Sequence, residues 1–137
     1  MLDETDKLIL ALLTKNSRML LQEIGEEVHL TGQAVRNRIN KMEKLGIIKG
    51  YTIKIDSNIF GEKLIAFITI FMKTTDHAAF HRYIESNALI TEANRISGDG
   101  CYMLKVIASS QDKIVGLLDE ILKFGNYKLN LSIEKIK

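Results

Sequence analysis

The spacing of apolar residues changes near residue 60, and this change constrains the fold more than any other feature of the chain. Before it, apolar side chains recur every three or four residues, as they do on helices that are buried along one side. After it, short runs are alternating or continuously apolar, which is typical of strands. The sequence therefore predicts an α+β protein with a helical first part and a sheet-containing second part.

The first part is predicted to contain three helices and a short β-like segment. The expected helices run from Asp3 or Thr5 to about Asn16, from about Leu20 to Glu27, and from the cap Thr31 to Gly46. Residues 47–55 are β-like around Gly50, as a small wing or connecting strand would be. The short connection between the second and third helices predicts a helix-turn-helix, and Gly25 allows these two helices to approach closely.

The second part has the predicted order β-α-β-β-α-β, the split ferredoxin-like arrangement. Strands are expected over residues 64–73, 92–97, 101–108 and 127–133, with one helix capped by Asp76 and another that begins at Ser109 or Ser110 and stops at Gly125. The first strand is apolar on both faces, and the helices cover only one of them. A second copy of the sheet is the natural cover, which predicts a homodimer. The sequence does not decide whether Ile65 and Phe67 or Leu64 and Ile68 face the partner.

Polar turn residues between positions 56 and 62 separate the two parts. We therefore expect a helix-turn-helix domain over residues 1–55, a linker over 56–62, and a dimerisation domain over 63–137. Small cores are marginal on their own, so two domains in so short a chain also favour oligomerisation.

Charge is distributed unevenly along the chain, although the net charge is only +2. Residues 1–30 carry three basic and six acidic side chains, whereas residues 31–54 carry six basic and one acidic. The small net charge excludes a uniformly basic nucleic-acid coat. The local basic block fits either a polyanion site or a solvated helix face, and charge alone does not separate the two.

The outer face of the third predicted helix favours DNA. At about 100° per residue, Val35, Ile39, Met42 and Gly46 gather on one side. The opposite side carries only amides and cations, namely Gln33, Arg36, Asn37, Asn40, Lys41 and Lys44. Amides pair with adenine, Arg pairs with guanine and Lys neutralises phosphate, so this composition suits DNA better than an ordinary surface helix. Arg38 lies at the edge of the packed side, which leaves open a structural role beside a carboxylate.

With these residues identified, the chain resembles the Lrp/AsnC family, the feast-or-famine regulators, over nearly its whole length. The matching stretches are Asp6–Leu10, Ser17-Arg18, Glu23–Gly25, Leu30-Thr31 with Val35, Arg38-Ile39 and Glu43, then Gly46–Tyr51, and Ile96–Asp99 leading into Tyr102–Val106. The resemblance implies a winged helix-turn-helix joined to a ferredoxin-like sensor domain of the RAM type. It also implies dimers that pair through the sensor sheets and often assemble to octamers.

The same resemblance implies a transcription regulator that acts on double-stranded DNA in the cytoplasm, associated with the nucleoid. From the matching stretches, Arg18 and Thr31 join the expected DNA contacts. Effectors of the family bind near the turn that corresponds here to Gly98, Asp99 and Gly100, and many are amino acids.

Three departures from the family pattern matter. Leu20 stands where a Ser or Thr usually caps the second helix, and Gly32 stands where Pro is common. Gly100 and Cys101 occupy the turn where many members have an aromatic residue followed by an acid. Without that acid the ammonium group of an amino acid loses a partner, so we expect common amino acids to bind weakly or not at all.

Two rival functions remain open from the sequence. Some relatives of this fold act as sirohaem decarboxylases, and His77 and His81, spaced i and i+4, could face one metal ion. No third ligand is evident, so these histidines are interpreted as solvated helix residues. The other rival is an architectural protein that bends DNA with little sequence preference.

We therefore predict no catalytic residue, no cofactor and no metal site. A single cysteine excludes an intrachain disulfide framework. The acidic, amphipathic start is unlike a signal peptide, and no apolar run approaches the roughly 18 residues of a membrane span, so we expect a cytoplasmic protein.

Overall fold

The computed structural model describes residues 1–137 except the side chains of Ser57 and Asn58. Part of the turn predicted at residues 56–58 therefore lies outside the described residues. The chain divides into two compact units, Met1–Lys54 and Ile55–Lys137. Each unit has its own hydrophobic core.

The first unit contains three helices, α1 (Glu4–Lys15), α2 (Leu21–Val28) and α3 (Gly32–Lys44). Of the two predicted caps of α1, the structure uses Asp3, whose carboxylate accepts a hydrogen bond from the Asp6 N–H at 2.7 Å. Leu20 precedes α2 and offers no acceptor, but the Glu23 carboxylate accepts from the Leu20 N–H at 2.9 Å. Helix α2 thus keeps one of the two hydrogen bonds of a capping box, although the residue at its N-cap position is Leu20.

The core of the first unit fixes the rotation of each helix. Five side chains are fully or almost fully buried, namely Ile9, Ile24, Val35, Ile39 and Met42. This confirms the predicted packed side of α3 with one correction. Gly46 does not belong to it, because the helix ends at Lys44 and Gly46 is exposed with φ +68°, the left-handed conformation that ends a helix.

The β strand predicted within residues 47–55 is wrong. The N–H groups of Ile47 and Ile48 both donate to the Met42 carbonyl, at 2.9 and 3.2 Å, so the chain folds back on α3. Among the described residues of this unit no strand forms. The physical reason is that a strand needs a ladder partner, and a unit of three helices offers none.

The second unit is a four-stranded antiparallel sheet with two helices. Its elements are β1 (Leu64–Met72), α4 (His77–Ser86), β2 (Ile90–Arg95), β3 (Tyr102–Ala108), α5 (Gln111–Ile121) and β4 (Gly125–Leu131). The strand order is β2-β3-β1-β4, so β1 and β3 are central. The predicted βαββαβ order is confirmed, and β2 begins two residues earlier than expected.

The prediction that Gly125 stops the last helix is also wrong. Helix α5 ends at Ile121, and Gly125 is the first residue of β4. A Cβ atom at position 125 would overlap the Phe71 carbonyl oxygen of β1. The glycine is therefore required for the close approach of two strands and has no role in ending a helix.

The two faces of the sheet differ in cover. The face toward the helices carries the buried core, with Ala66, Ile68, Ile70, Tyr102, Leu104, Val106 and Ala108 each at most 2% exposed. Helices α4 and α5 close this core, and they are capped by the side chains of Asp76 and Ser110. Ser110 is thus the cap where the sequence left Ser109 and Ser110 open.

The opposite face carries an uncovered apolar stripe. Ile65, Phe67 and Phe71 of β1 point away from the helices, beside Met103 and Ile107 of β3. Thr69 and Lys105 lie on the same face, and Lys105 is paired with Phe67 in the ladder. Phe67 and Met103 are 40% and 41% exposed. Of the two sets that the sequence left open, Ile65 and Phe67 are therefore the outward one.

In the described part of the chain, no helix is long and apolar enough to cross a bilayer.

Candidate nucleic-acid interface and sensor turn

Three residues, His29, Leu30 and Thr31, join α2 to α3. His29 adopts the left-handed conformation with φ +56°, and the N–H groups of His29 and Leu30 both donate to the Gly25 carbonyl. A Cβ atom at Gly25 would overlap the Leu30 carbonyl oxygen. The tight turn of the helix-turn-helix thus depends on this glycine, and the predicted close approach is confirmed.

All eight predicted DNA-contact residues are exposed, namely Arg18, Thr31, Gln33, Arg36, Asn37, Asn40, Lys41 and Lys44. Those within α3 lie on the side that the core leaves uncovered. Thr31 also caps α3, because its hydroxyl accepts from the Ala34 N–H at 3.2 Å. The Gln33 amide donates to the Asn37 side chain at 3.1 Å, which aligns two amides along the helix surface.

Three of the four cations of α3 have no acidic side chain as a partner among the described residues. No ion pair between described residues engages Arg36, Lys41 or Lys44. Glu43, the single acid between positions 31 and 54, accepts a hydrogen bond from the Tyr51 hydroxyl at 2.9 Å. Burial and this contact with Glu43 raise the pKa of Tyr51. The positive charge of α3 thus remains available to an anionic partner.

Arg38 has a structural role, as the sequence allowed. Its guanidinium lies 2.6 Å from an Asp3 oxygen and 2.7 Å from an Asp6 oxygen. The Asp6 side chain is only 8% exposed, so its carboxylate depends on this partner. The Arg38 guanidinium, followed by the Asp6 N–H, holds the pKa of Asp3 below its usual range. These contacts join the start of α1 to the middle of α3.

The predicted sensor turn lies against the uncovered face of the sheet. Gly98 and Gly100 have φ +86° and +94°, so both use the conformation that favours glycine. A Cβ atom at Gly100 would lie 2.5 Å from the Thr69 methyl carbon of β1. The Cys101 N–H donates to the Ile70 carbonyl at 2.7 Å, which fixes the end of the turn, while Asp99 is exposed.

The interpretation of His77 and His81 as two solvated helix residues is wrong for His77 but not for His81. His77 is half-buried, and its Nδ1 lies 2.7 Å from the Tyr102 hydroxyl oxygen. His81 is exposed, and its Nε2 lies 2.9 Å from the same oxygen. Tyr102 is buried at 2% exposure, and nothing in the local sequence indicates that its hydroxyl contacts α4. Among the described side chains, no cluster of three or more His, Cys, Asp or Glu residues could hold a metal ion.

A helix-turn-helix with an exposed surface of amides and cations, followed by a ferredoxin-like unit, defines a class of DNA-binding regulators with a separate sensor domain. Comparison with known families agrees over both units. A model described as winged helix-turn-helix DNA-binding matches residues 2–49, and one described as the Lrp/AsnC ligand binding domain matches residues 65–137. The chain belongs to the Lrp/AsnC family of transcriptional regulators.

Similar proteins cover nearly the whole chain. The Bacillus subtilis regulator LrpB is 48% identical over 136 residues, which span 99% of this chain and 91% of LrpB. LrpA of the same organism is 36% identical over 98% of this chain and 100% of its own length. The structure of Bacillus subtilis LrpC matches with a TM-score of 0.86 at 28% identity, covering 100% of this chain and 98% of LrpC. All three are named as Lrp-type proteins, and the protein described here is a DNA-binding regulator of this type.

We expect Arg38→Gln to lower the thermal midpoint of the first unit, because it leaves the buried Asp6 carboxylate without its cationic partner. Arg36→Gln is the matched control. It also removes one arginine charge from α3, but Arg36 is exposed and lies two residues before Arg38. Its midpoint should stay close to that of the wild type. Circular dichroism melts of the full chain at neutral pH measure the difference.

The difference in thermal midpoint between the wild type and Arg38→Gln should depend on pH, and the direction of this dependence follows from the pKa of Asp3. Because the pKa of Asp3 is lowered in the folded state, its contribution is fully present above the usual pKa of 3.8 and is lost as the pH falls through the lowered value. The gap between wild type and Arg38→Gln should therefore narrow in acid. Equal midpoints at neutral pH would show that the Arg38 cluster is dispensable.

Proposed function

We propose that this protein is a homodimeric, sequence-specific transcription regulator that reads DNA with α3. One observation carries the proposal: the buried side of α3 is its apolar side, so the exposed side is the one built from amides and cations. A recognition helix in the major groove needs this arrangement, with packing on one side and hydrogen-bonding groups on the other.

Each side chain has a role that its chemistry suggests. Arg36, Asn37 and Asn40 contact base edges, because guanidinium and amide groups can form paired hydrogen bonds with guanine and adenine. Thr31 and Gln33 lie at the N-terminus of α3. In a helix-turn-helix, the N-terminal residues of the recognition helix contact the base edges in the major groove. Arg18, Lys41 and Lys44 contact phosphates and fix the register on the duplex.

The uncovered sheet face is the proposed dimer interface. Its centre is the apolar stripe of β1 and β3, together with Thr69 and Lys105 of the same two strands. Polar residues of the outer strands lie on the same face around it, namely Glu92, which is paired with Lys105, and Asn94, Lys128 and Asn130. An apolar centre with a polar rim is the usual composition of a stable interface. A large apolar patch left in water would instead be a liability.

The dimer has a consequence for the DNA site. A two-fold axis relates two copies of α3, so the target should be an inverted repeat whose half-sites are separated by about 34–36 Å or a multiple of that distance. We further propose that dimers assemble to octamers, as is common in the family, and that residues 56–62 link the 1–55 and 63–137 domains.

The turn at Gly98, Asp99 and Gly100 is the proposed effector site. Its glycines allow backbone N–H groups to approach a ligand, and Asp99 could hold an ammonium group. Gly100 and Cys101 supply neither a stacking ring nor a second acid. We therefore propose that common amino acids bind weakly and that DNA binding is largely independent of them.

The proposed role is regulatory and not enzymatic, in the cytoplasm and associated with the nucleoid. Relatives that cover nearly the whole chain are named transcriptional regulators, which supports this choice. An architectural protein would use the same cations. It differs in one measurable property, the ratio of specific to non-specific affinity at a stated salt concentration.

We expect Arg36→Ala, Asn37→Ala and Asn40→Ala each to weaken operator binding by about 1–3 kcal/mol and to relax the preference at one base pair. Lys44→Ala should instead weaken binding to every sequence and reduce the salt slope by about 1. Anisotropy titrations with operator and scrambled duplexes, at several salt concentrations, distinguish the two effects.

Lys113→Ala is the matched control for this series, because Lys113 is an exposed cation of α5 in the other unit. Its affinity for DNA should stay unchanged. Unchanged affinity across the α3 variants would mean that α3 is not the reader. Equal affinity of the wild type for operator and scrambled duplexes would favour the architectural function.

Phe67→Glu should dissociate the dimer, because it places a charge in the centre of the apolar stripe. Val115→Glu is the control: Val115 is a similarly exposed apolar residue at 47%, but it lies on α5, away from the sheet face. Sedimentation equilibrium of the full chain measures both variants. A dimer that survives Phe67→Glu would place the interface elsewhere.

Calorimetry against the standard amino acids tests the effector proposal. We expect no binding in the micromolar range and no change in operator affinity, because the turn lacks the aromatic and acidic partners. A micromolar ligand that alters DNA affinity would contradict this expectation. In that case Asp99→Ala, at an exposed position, should abolish the response if the turn is the site.

A further inference from the structure

Two histidines of α4 converge on one buried phenol of β3. His77 and His81 are one helical turn apart, and their nitrogens lie 2.7 and 2.9 Å from the Tyr102 hydroxyl oxygen. Tyr102 is only 2% exposed, so packing in the core fixes the position of its side chain. The DNA-binding and dimer functions proposed above use none of these three groups.

The protons of this cluster limit how it can be arranged. A phenol has one proton, so its hydroxyl can donate to one imidazole and must accept an N–H from the other. Each ring is thereby held in one tautomer while the cluster is uncharged. Removing the phenolic proton and moving one imidazole proton to the far nitrogen of its ring would leave a free lone pair on each of the three atoms.

We propose that His77, His81 and Tyr102 form a binding site for a divalent transition metal ion, with Cu²⁺ bound in preference to Zn²⁺. Adjacent ligands at right angles around an ion, with bonds of roughly 2.0–2.1 Å, are separated by about 2.9 Å. The two observed nitrogen–oxygen distances are ordinary hydrogen-bond lengths, and they are also close to this separation, so the three groups could bind an ion with little movement. Imidazole nitrogen with one oxygen donor suits Cu²⁺, whose affinity is also the highest of the divalent series.

The surroundings leave room for the rest of a coordination shell. Tyr102 forms the buried floor, while His81 is exposed and His77 half-buried, so water can supply the remaining ligands. The start of a helix disfavours a cation. Here the phenolate and the carboxylate of Asp76, the N-cap residue that precedes His77, offset that effect.

Binding would be balanced by the loss of one proton. The ion forms bonds to two nitrogens and to the phenolate oxygen, and the Tyr102 proton is released to solvent. No electron is transferred. The ion would join the first turns of α4 to the start of β3, so it should stabilise the second unit against unfolding by mass action.

The test is a titration of the full chain with Cu²⁺ and, separately, with Zn²⁺, as simple salts. We expect one Cu²⁺ per chain, release of one proton, a raised thermal midpoint, and a visible charge-transfer band from phenolate to copper. Removing a residue that only hydrogen-bonds to a metal ligand typically weakens metal binding by about 10–100-fold. Removing a ligand itself should weaken Cu²⁺ binding by at least as much. His77→Gln and His81→Gln should therefore each show that loss.

Tyr102→Phe keeps the buried ring and removes only the hydroxyl. It should abolish the charge-transfer band and the proton release. His29→Asn is the control, because it removes the remaining histidine of the sequence from a left-handed position that Asn also tolerates, and its Cu²⁺ affinity should equal that of the wild type. If Tyr102→Phe fails to fold by circular dichroism, the two histidine variants on the helix surface decide the question.

Two results would overturn the proposal. Wild-type affinity in the His77→Gln, His81→Gln double variant would show that copper binds elsewhere. Absence of stoichiometric Cu²⁺ binding to the wild type would show that the three groups form a hydrogen-bonded triad only.

Discussion

Burial of Val35, Ile39 and Met42 fixes the rotation of α3, and the surface proposed to read DNA depends on that rotation. A helix that packs three residues of one side into a core must present the other side to solvent, so the direction of Arg36 and Asn40 follows from residues that do not contact DNA. Arg38 reinforces the same rotation, because its ion pairs with Asp3 and Asp6 hold the intermediate side of the helix against the start of α1. Arg36 and Arg38 are only two positions apart, but Arg38 pairs with Asp3 and Asp6 whereas Arg36 is exposed to solvent.

An equivalent constraint acts on β1 in the second unit. Successive side chains of a strand alternate between faces, so burial of Ile68 and Ile70 under the helices directs Phe67 and Phe71 to the other side. Strand β1 is apolar on both faces, but helices α4 and α5 lie on one face of the sheet only. These helices therefore cover only half of the apolar surface of β1. The other face of the sheet is the one for which a second copy of the chain is the proposed cover.

The sequence predicted what local periodicity and capping control. The packed side of α3, the caps Thr31 and Asp76, and the βαββαβ order all follow from patterns that need no distant partner, whereas the cap of α1 was narrowed only to Asp3 or Thr5. The wrong predictions depend on such partners: residues 47–55 lack a strand to pair with, and Gly125 is explained by the Phe71 carbonyl, which lies more than fifty residues away in the sequence. The contact of Tyr102 with His77 and His81 was missed for the same reason, since periodicity assigns a residue to a face without naming what lies opposite. The eight DNA contacts and the effector turn stay predictions until the experiments above are done.

Strand β1 connects the features of the second unit. Gly100 packs on Thr69, Cys101 donates to the Ile70 carbonyl, and Tyr102 pairs with Ile70 in the ladder, so the sensor turn and the start of β3 both lie on the same two residues of β1. Thr69 and Phe71 belong to the face proposed for dimerisation, whereas Ile70 belongs to the core. A ligand at the turn would therefore act first on the dimer face, and a metal ion at Tyr102 would act first on the core between α4 and β3.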